Sequence, residues 1–342
     1  MSKKVQKPGT TFLEGKNVFE IAMSKSATDL DAKFMSSAQL QKMLMDVIAL
    51  KKGERVVFLT DYPEKPEVND VKEDRKQLIA SWMEAAKKLS TTVGFEVLPL
   101  VKYAETGAHG AQLPTSAYLG DKQIDNLTEL LSGADVIIAM NSFSATATLH
   151  KIADLGNTRV LSMPTVDSTM EPAMSANYAV INGRGLALLD LVKDAVGFRV
   201  EFKGEGVPEG TQLYVDTRAN VWKLDGGKCT QPGELINFPA GELFTPPYEG
   251  VSENGRKLFG DSKTSGTWAV YSPKDNKVVL LKVEKNMIVE VPGDSEKANE
   301  LRELIAQNSN NANIAELAFG LNELARPFIE TECKLKIGRA HV

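Results

Sequence analysis

The chain of 342 residues is poor in cysteine and lacks any long apolar run. Its two cysteines, Cys229 and Cys333, are too far apart to form a C-x-x-C motif and too few for a disulfide framework. No stretch approaches the roughly 18 consecutive apolar residues of a membrane helix. The basic N-terminus is not followed by the apolar block of a secretory signal. These absences argue against a disulfide-rich secreted domain and a membrane protein, and they make the cytoplasm the expected location.

Concentrated positive charge is also missing. The formal net charge is -5, and the Lys and Arg residues are scattered along the chain. A nucleic-acid-binding protein usually gathers such residues on one face, so DNA and RNA are not expected partners. Apolar residues make up 42% of the chain and charged residues 25%, which is typical of a globular protein that folds in water.

Hydrophobic patterning divides the chain into regions. After an N-terminal extension (1–36), residues 37–196 alternate Val- and Ile-rich runs with helical periodicity, which predicts an α/β domain whose mostly parallel sheet is flanked by helices. Residues 197–336 have short strands and Gly-rich turns, so we predict a β-rich α+β domain there. Within the first domain the pattern predicts a strand over 95–101, a short run at 178–181 and a separate helix over 186–196.

Two segments of the second region place a carboxylate in apolar surroundings. Glu242 lies in the run Asn-Phe-Pro-Ala-Gly-Glu-Leu-Phe-Thr-Pro-Pro, and Glu316 lies in Asn-Ile-Ala-Glu-Leu-Ala-Phe-Gly. An ionised carboxylate that leaves water is costly unless it is paired, hydrogen-bonded or bound to a metal. A divalent cation is one partner that would satisfy both residues.

Each glutamate also has a simpler interpretation. The sequence around Glu316 is typical of an amphipathic helix with a solvated charge. Glu242 is compatible with a turn carboxylate that accepts hydrogen bonds from nearby backbone N–H groups. Spacing does not decide between these interpretations, because the two residues lie far apart in the chain and only the fold can bring them together.

Taken in order, the two glutamate segments resemble the paired motifs of the thermophilic leucyl aminopeptidase (aminopeptidase T) family. Leu50-Lys-Lys-Gly-Glu-Arg-Val-Val resembles the entry to that family's first strand. Ala134-Asp-Val-Ile-Ile-Ala, followed by Ser142-Phe-Ser-Ala-Thr, resembles its central strand and turn. The resemblance covers most of residues 37–335 and is most specific at the glutamate motifs.

This resemblance implies a metal-dependent aminopeptidase in which Glu242 and Glu316 each ligate a divalent ion (zinc, cobalt or manganese) of a two-metal site. A metal-activated water would then hydrolyse the N-terminal peptide bond of a small peptide. The family pattern also implies a homodimer. Gly241 departs from it, because many peptidase members carry an acidic residue just before the ligand glutamate.

The same fold also serves iron-dependent dioxygenases that open hydroxylated pyridine rings, and fold alone does not determine the reaction. A non-haem iron dioxygenase acting on a small molecule is therefore the alternative to the peptidase. A metal-free binding or scaffolding relative is a third hypothesis.

The end of the chain bears on the metal ligands. His341 stands near the distance at which the family places a ligand histidine, but the six residues from Ile337 to Val342 are also the translation of a common sequencing adapter. We therefore expect residues 337–342 to be an adapter-derived tail and the domain over 197–336 to be truncated, as in an incomplete gene from environmental DNA. On this expectation the chain binds metal weakly and has no measurable peptidase activity.

The remaining candidates have two interpretations each. His109 lies in a Gly-rich loop and either serves a substrate pocket or is solvated. His150, on a predicted helix, is either a satisfied or a surface histidine. Ser142, Ser144 and Thr146 either bind an anion at a helix N-terminus or cap that helix.

Overall fold

The computed structural model describes residues 35–63, 70–218, 221–250, 259–272 and 275–325. These residues fall in one compact unit, Phe34–Val342. No helix within the described ranges is both long enough and apolar enough to cross a membrane. His341 and the predicted tail at 337–342 lie outside the described residues, as does nearly all of the extension at 1–36.

Helices and strands alternate in the first half of the described chain, and strands dominate the second half. The helices are α1 (Ser37–Ile48), α2 (Asp70–Val93), α3 (Leu127–Ser132), α4 (Thr146–Asp154), α5 (Glu171–Met174), α6 (Tyr178–Val192) and α7 (Glu296–Gln307). The strands are β1 (Arg55–Tyr62), β2 (Glu96–Val97), β3 (Val101–Ala104), β4 (Ala117–Leu119), β5 (Lys122–Ile124), β6 (Val136–Asn141), β7 (Arg159–Pro164), β8 (Gly197–Glu201), β9 (Gln212–Asp216), β10 (Lys223–Asp225), β11 (Leu235–Asn237), β12 (Glu242–Thr245), β13 (Ser265–Ser272), β14 (Lys277–Glu284), β15 (Met287–Glu290) and β16 (Leu317–Gly320).

The largest sheet has eight strands in the order β11-β7-β6-β1-β3-β4-β5, with β2 also paired to β1. Strands β11, β7, β6, β1 and β3 run parallel to one another, whereas β4 pairs antiparallel with both β3 and β5. Side chains of β1 alternate between two cores. Val56 and Phe58 pack with α1 and α2, whereas Val57 and Leu59 pack with α3 and α4. The predicted α/β class, with a mostly parallel sheet flanked by helices, is confirmed.

The chain reverses direction across this sheet next to β1. It passes from β1 through α2 to β3 on one side, and later from β6 through α4 to β7 on the other. The topological switch point therefore lies between β1 and β6. In open α/β sheets, ligands bind at the carboxyl ends of the strands at such a point.

Two antiparallel sheets complete the fold: a three-stranded sheet in the order β10-β12-β16 and a five-stranded sheet in the order β15-β14-β13-β9-β8. The first strand of these two antiparallel sheets is β8, which starts at Gly197. The short strand β11 nevertheless returns to pair with β7 in the large sheet. The division into domains near residue 197 stays a prediction.

Two local predictions are wrong. Residues 178–181 and 186–196 do not form separate elements, because α6 runs from Tyr178 to Val192 after the N-cap Asn177, whose side chain accepts from the Val180 N–H. Position 185 of this helix requires glycine, because a Cβ there would stand 2.2 Å from a methyl group of Leu224. The strand predicted over 95–101 is broken into β2 and β3, with Pro99 between them.

Candidate functional site

The turn after β6 lies at the switch point and is held by a carboxylate from β1. Asp61 is buried, and its two oxygens accept hydrogen bonds from the backbone N–H groups of Ser142 (2.6 Å) and Phe143 (3.0 Å). Adjacent backbone N–H groups that converge in this way form an anion-binding nest. Here the anion is a side chain of the protein itself, so the ends of β1 and β6 are joined.

Charged side chains from α2 and from the segment after β3 surround the same turn. Arg75, also buried, donates from Nη1 to the Ser142 hydroxyl (2.7 Å) and from Nε to the Val166 carbonyl (2.9 Å). The Ser142 hydroxyl in turn donates to Glu105 (3.0 Å), which pairs with Lys72 at 3.1 Å. Burial lowers the pKa of Arg75, and the nearby carboxylates, Asp61 foremost, oppose that shift.

His109 is attached to this turn by its ring. Its Nδ1 accepts the Ser144 N–H at 3.0 Å, and its ring meets the Phe143 ring edge-on with centroids 5.6 Å apart. The next residue, Gly110, donates its N–H to the Ser144 carbonyl at 2.9 Å. These contacts hold His109 in place, although the residue is exposed to solvent. Because Nδ1 is an acceptor, the neutral ring carries its proton on Nε2.

The anion interpretation of Ser142, Ser144 and Thr146 does not fit this geometry. The N–H groups of residues 142 and 143 are used by Asp61 and that of Ser144 by His109, while the Thr146 N–H lies 3.4 Å from the Ser144 hydroxyl. The N-cap of α4 is Ala145, which provides no side-chain cap. The hydroxyl groups instead continue a hydrogen-bonded chain along the sheet edge.

That chain leads to the carboxyl end of β11. The Thr146 hydroxyl lies 2.9 Å from that of Ser144 and 2.7 Å from that of Ser162, and it donates to the Asn237 side-chain oxygen at 3.5 Å. The Asn237 N–H then donates to Asp225 at 3.2 Å. We call the resulting series the polar band; it consists of His109, Asp61, Ser142, Ser144, Thr146, Asn237, Asp225 and Glu242.

The far end of the polar band is a pair of carboxylates. Asp225, the last residue of β10, is the cross-strand partner of Glu242, the first residue of β12. Side chains of directly opposed residues lie on the same face of a sheet and close together. Burial, together with the charge of Glu242, raises the pKa of Asp225 to about 7, although the N–H groups of Gly227 and Asn237 act in the opposite direction. The Oδ1 atom of Asp225 is buried and has no hydrogen-bond partner among the described residues.

The backbone beside this pair requires glycine. Gly241 has a φ of +127°, and a Cβ there would stand 2.7 Å from the Asn322 Cβ. Asn322 is itself fixed, because its side-chain amide donates to the carbonyls of Ala173 and Ala240, both at 3.0 Å. An acidic residue in place of Gly241 would meet both the left-handed backbone and this contact.

The predicted ligand Glu316 lies further along the same sheet. It directly precedes β16, where the register pairs Glu242 with Gly320 and Thr245 with Leu317. Glu316 lies outside the strand and four residues before Gly320, the partner of Glu242, or about 13 Å along an extended chain. Among the described residues, no three His, Cys, Asp or Glu side chains form a group that could hold a metal ion. Glu242 and Glu316 as ligands stay a prediction, and the partner that the fold gives to Glu242 is Asp225.

Other sequence-based candidates have clear positions. His150 is an exposed residue of α4 that pairs with Asp154 one turn later, at 3.0 Å. Sequence reasoning missed Asp61, Arg75 and Asp225. Asp61 lies near the carboxyl end of β1, just before Tyr-Pro, and a polar residue at the carboxyl end of a buried strand is a usable signal. Asp225 in Leu-Asp-Gly-Gly looks like a turn residue, and only its pairing with Glu242 distinguishes it.

Comparison with known proteins points to a single family. The family model described as NicX: 2,5-dihydroxypyridine 5,6-dioxygenase matches residues 36–331. A solved structure of 2,5-dihydroxypyridine dioxygenase from Pseudomonas putida KT2440 is similar with a TM-score of 0.57 and 18% sequence identity, over 85% of this chain and 79% of that chain. At that identity the structural likeness shows the fold alone. No curated protein matches the chain.

The family match overturns the aminopeptidase prediction. The assignment to the aminopeptidase T family is wrong, and so are the metallopeptidase and hydrolase functions that it implied. The glutamate motifs could not identify the reaction, because one fold can support different chemistries. Gly241 is a local departure from the peptidase pattern, because the acidic residue expected there in peptidases would be strained by the positive φ and would clash with Asn322.

Proposed function

The chain belongs to the NicX, or 2,5-dihydroxypyridine 5,6-dioxygenase, family, and we propose on this basis that it is a dioxygenase that opens the ring of a hydroxylated pyridine. The family match over residues 36–331 carries the proposal. In such a reaction the bond between ring carbons 5 and 6 breaks and both atoms of one dioxygen molecule enter the product. The electrons come from the ring, so no external reductant is needed.

The polar band supports a small, hydroxylated substrate. It lies where ligands of α/β proteins bind, at the carboxyl ends of β1, β6 and β11. Its hydroxyl, amide and imidazole groups both donate and accept hydrogen bonds, as ring hydroxyls and a ring nitrogen require. Two basic side chains beside the band, Lys72 and Arg75, are already engaged by Glu105 and Ser142. A neutral heteroaromatic ring suits these groups better than a peptide.

We propose a divalent metal, iron in this reaction class, as the cofactor. Bound iron would make dioxygen reactive toward a closed-shell ring. Glu242 and the buried, unpartnered Oδ1 of Asp225 fit a cation, since two adjacent carboxylates need positive charge between them. The described residues provide these two carboxylates, with Glu316 as the further predicted ligand, and not a complete group of three.

His109 is the residue that we assign to proton transfer with the substrate. It is exposed at the sheet edge, and its ring is held by Ser144 and Phe143 with the proton on Nε2. A ring hydroxyl must lose its proton as the aromatic system is oxidised, and histidine is the side chain best matched to that step near neutral pH.

Turnover by the purified chain tests the proposal. The protein is incubated anaerobically with Fe(II) and 2,5-dihydroxypyridine, and air is then admitted while the absorbance of the aromatic ring is followed. With Fe(II) in excess, as weak metal binding requires, we expect the absorbance to disappear when iron and protein are both present, and not with zinc in place of iron. Hydroxylated pyridines with other substitution patterns define the preference. Hydrolysis of a leucyl-anilide without any ring opening would contradict the proposal.

A further inference from the structure

The turn formed by Ser142, Phe143 and Ser144, which we call the β6 turn, connects a buried carboxylate to an exposed histidine. Asp61 accepts the first two N–H groups of this turn, at 2.6 and 3.0 Å. The third N–H, that of Ser144, donates to Nδ1 of His109. Three consecutive N–H groups therefore link the end of β1 to the loop that carries His109.

Side chains from α2 and from the segment after β3 also hold the β6 turn. Arg75 and Glu105 hold the Ser142 hydroxyl from two sides, at 2.7 and 3.0 Å, and Arg75 also binds the carbonyl of Val166 after β7. Arg75 and Glu105 bind the Ser142 hydroxyl, whereas Asp61 accepts the backbone N–H groups of Ser142 and Phe143. The direction of the Ser144 N–H follows from the orientation of the peptides before it, so it depends on Asp61.

We propose that Asp61 is a positioning residue that sets the orientation of the His109 ring through the β6 turn. Its role in turnover rests on the function proposed above, whereas its effect on the ring does not. A carboxylate is needed, because each of its oxygens accepts a different N–H. An asparagine offers one acceptor oxygen and turns an NH₂ group toward the other N–H, so one hydrogen bond is replaced by a repulsion between donors.

The matched control is Asp216 at the end of β9. It too is a buried aspartate, and its two oxygens accept the backbone N–H groups of Arg218 (3.2 Å) and Lys263 (2.9 Å). It lies in the five-stranded sheet, away from the polar band. The variants Asp61→Asn and Asp216→Asn thus each replace a buried aspartate that accepts two backbone N–H groups, in two parts of the full chain. Asp216 also pairs with the Arg218 guanidinium at 2.6 Å, so its replacement removes an ion pair as well.

Two measurements test directly whether Asp61 orients the β6 turn and the His109 ring. In amide hydrogen exchange, Asp61→Asn should speed exchange of the Ser144 N–H by about tenfold more than that of Ile138 in the centre of β6. In NMR spectra with labelled histidine, the contact between the rings of His109 and Phe143 should weaken. Asp216→Asn should change neither. A purely structural role for Asp61 would alter Ser144 and Ile138 by the same factor and would overturn the proposal.

Turnover gives a third readout. A misplaced proton-transfer group lowers kcat with little effect on binding, so Asp61→Asn should lower kcat by about ten- to a hundredfold and change KM by less than about threefold. An unchanged kcat together with a weakened ring contact would overturn the catalytic part of the proposal. If the wild type opens no hydroxylated pyridine, the proposed function fails, and the exchange and ring-contact results alone decide whether Asp61 orients His109.

A second variant covers the case in which Asp61→Asn does not fold. Ser142→Ala keeps Asp61 and both N–H donors but removes the hydroxyl that Arg75 and Glu105 hold. Because both N–H bonds to Asp61 remain, exchange of the Ser144 N–H relative to that of Ile138 should stay within about twofold of wild type. A much larger increase at Ser144 in this variant would show that the hydroxyl contacts, and not Asp61, orient the turn, and would overturn the proposal.

Discussion

The two ends of the polar band differ in how completely the protein satisfies them. At the β6 turn, the carboxylate of Asp61 and the guanidinium of Arg75 have hydrogen-bond partners within the described chain. At the other end, Asp225 and Glu242 face each other across two strands, and one buried oxygen of Asp225 has no hydrogen-bond partner there. At the β6 turn, these hydrogen bonds hold the turn that binds the His109 ring. At the Asp225–Glu242 pair, two carboxylates lie close together and need positive charge between them, so we expect a metal there.

This comparison predicts the largest effect at Glu242. Glu242→Gln should lower kcat by about a thousandfold, because a ligand charge is lost, and should weaken Fe(II) binding measured by calorimetry. Glu201→Gln, on the exposed face of β8, is the control and should leave both unchanged. Glu316→Gln tests the longer-range prediction, since a variant with wild-type iron affinity would remove Glu316 from the ligand set.

The next largest effect is expected at His109, beside the β6 turn. His109→Asn should lower kcat by about a hundredfold, because proton transfer is lost, and should leave Fe(II) affinity unchanged. His150→Asn is the matched control, as His150 is an exposed histidine whose partner is Asp154 on the same helix. Equal turnover by the two variants would contradict the role assigned to His109.

Asp225 should make stability depend on pH in an unusual direction. Its pKa is raised to about 7 in the folded protein, so between about pH 4 and pH 7 the folded state holds a proton that the unfolded chain has released. The free energy of unfolding therefore falls as the pH rises through this window. The side chain in Asp225→Asn cannot ionise. The free energy of unfolding of this variant, relative to that of the wild type, should therefore rise by on the order of 2 kcal/mol between pH 5 and pH 8. Urea unfolding of the metal-free proteins measures this difference, and a difference that stays constant with pH would refute the assignment.

Asp216 should change the pH dependence of stability in the opposite direction to Asp225, and by the smallest amount of the changes considered. Burial opposes its ionisation most strongly, but hydrogen bonds from Arg218 and the Lys263 N–H outweigh burial and lower its pKa. Its contribution is therefore present at neutral pH and lost as the pH falls through the lowered value. Asp216→Asn should reduce the free energy of unfolding at pH 7 by about 1–2 kcal/mol, with kcat per folded molecule unchanged. A loss of stability that is no smaller in acid than at pH 7 would contradict this account.

Much of the parallel sheet could be predicted because its signals are local. Ser36 and Gln39 form a capping box at the start of α1, and the β-branched run that follows becomes β1. The Ala-Glu-Leu-Ala sequence at Glu316 looked helical, but it lies at the start of β16, because pairing with β12 prevails over the local pattern.

The candidate site was predictable only in part. Glu242 was marked by its apolar surroundings, whereas Asp225 was not, because its importance comes from strand register, which a single sequence does not determine. Asp61 and Arg75 act on a turn that is distant from them in the chain. The reaction type could not follow from two carboxylates, since the same scaffold supports different chemistries.

Isotope labelling tests the central claim most directly. The protein is loaded with Fe(II) and given 2,5-dihydroxypyridine under ¹⁸O₂ in unlabelled water, and the product is analysed by mass spectrometry. Dioxygenase chemistry predicts a ring-opened product that carries both labelled oxygen atoms, with one dioxygen consumed per substrate. A product that takes its new oxygen from water, or an unopened ring, would contradict the account.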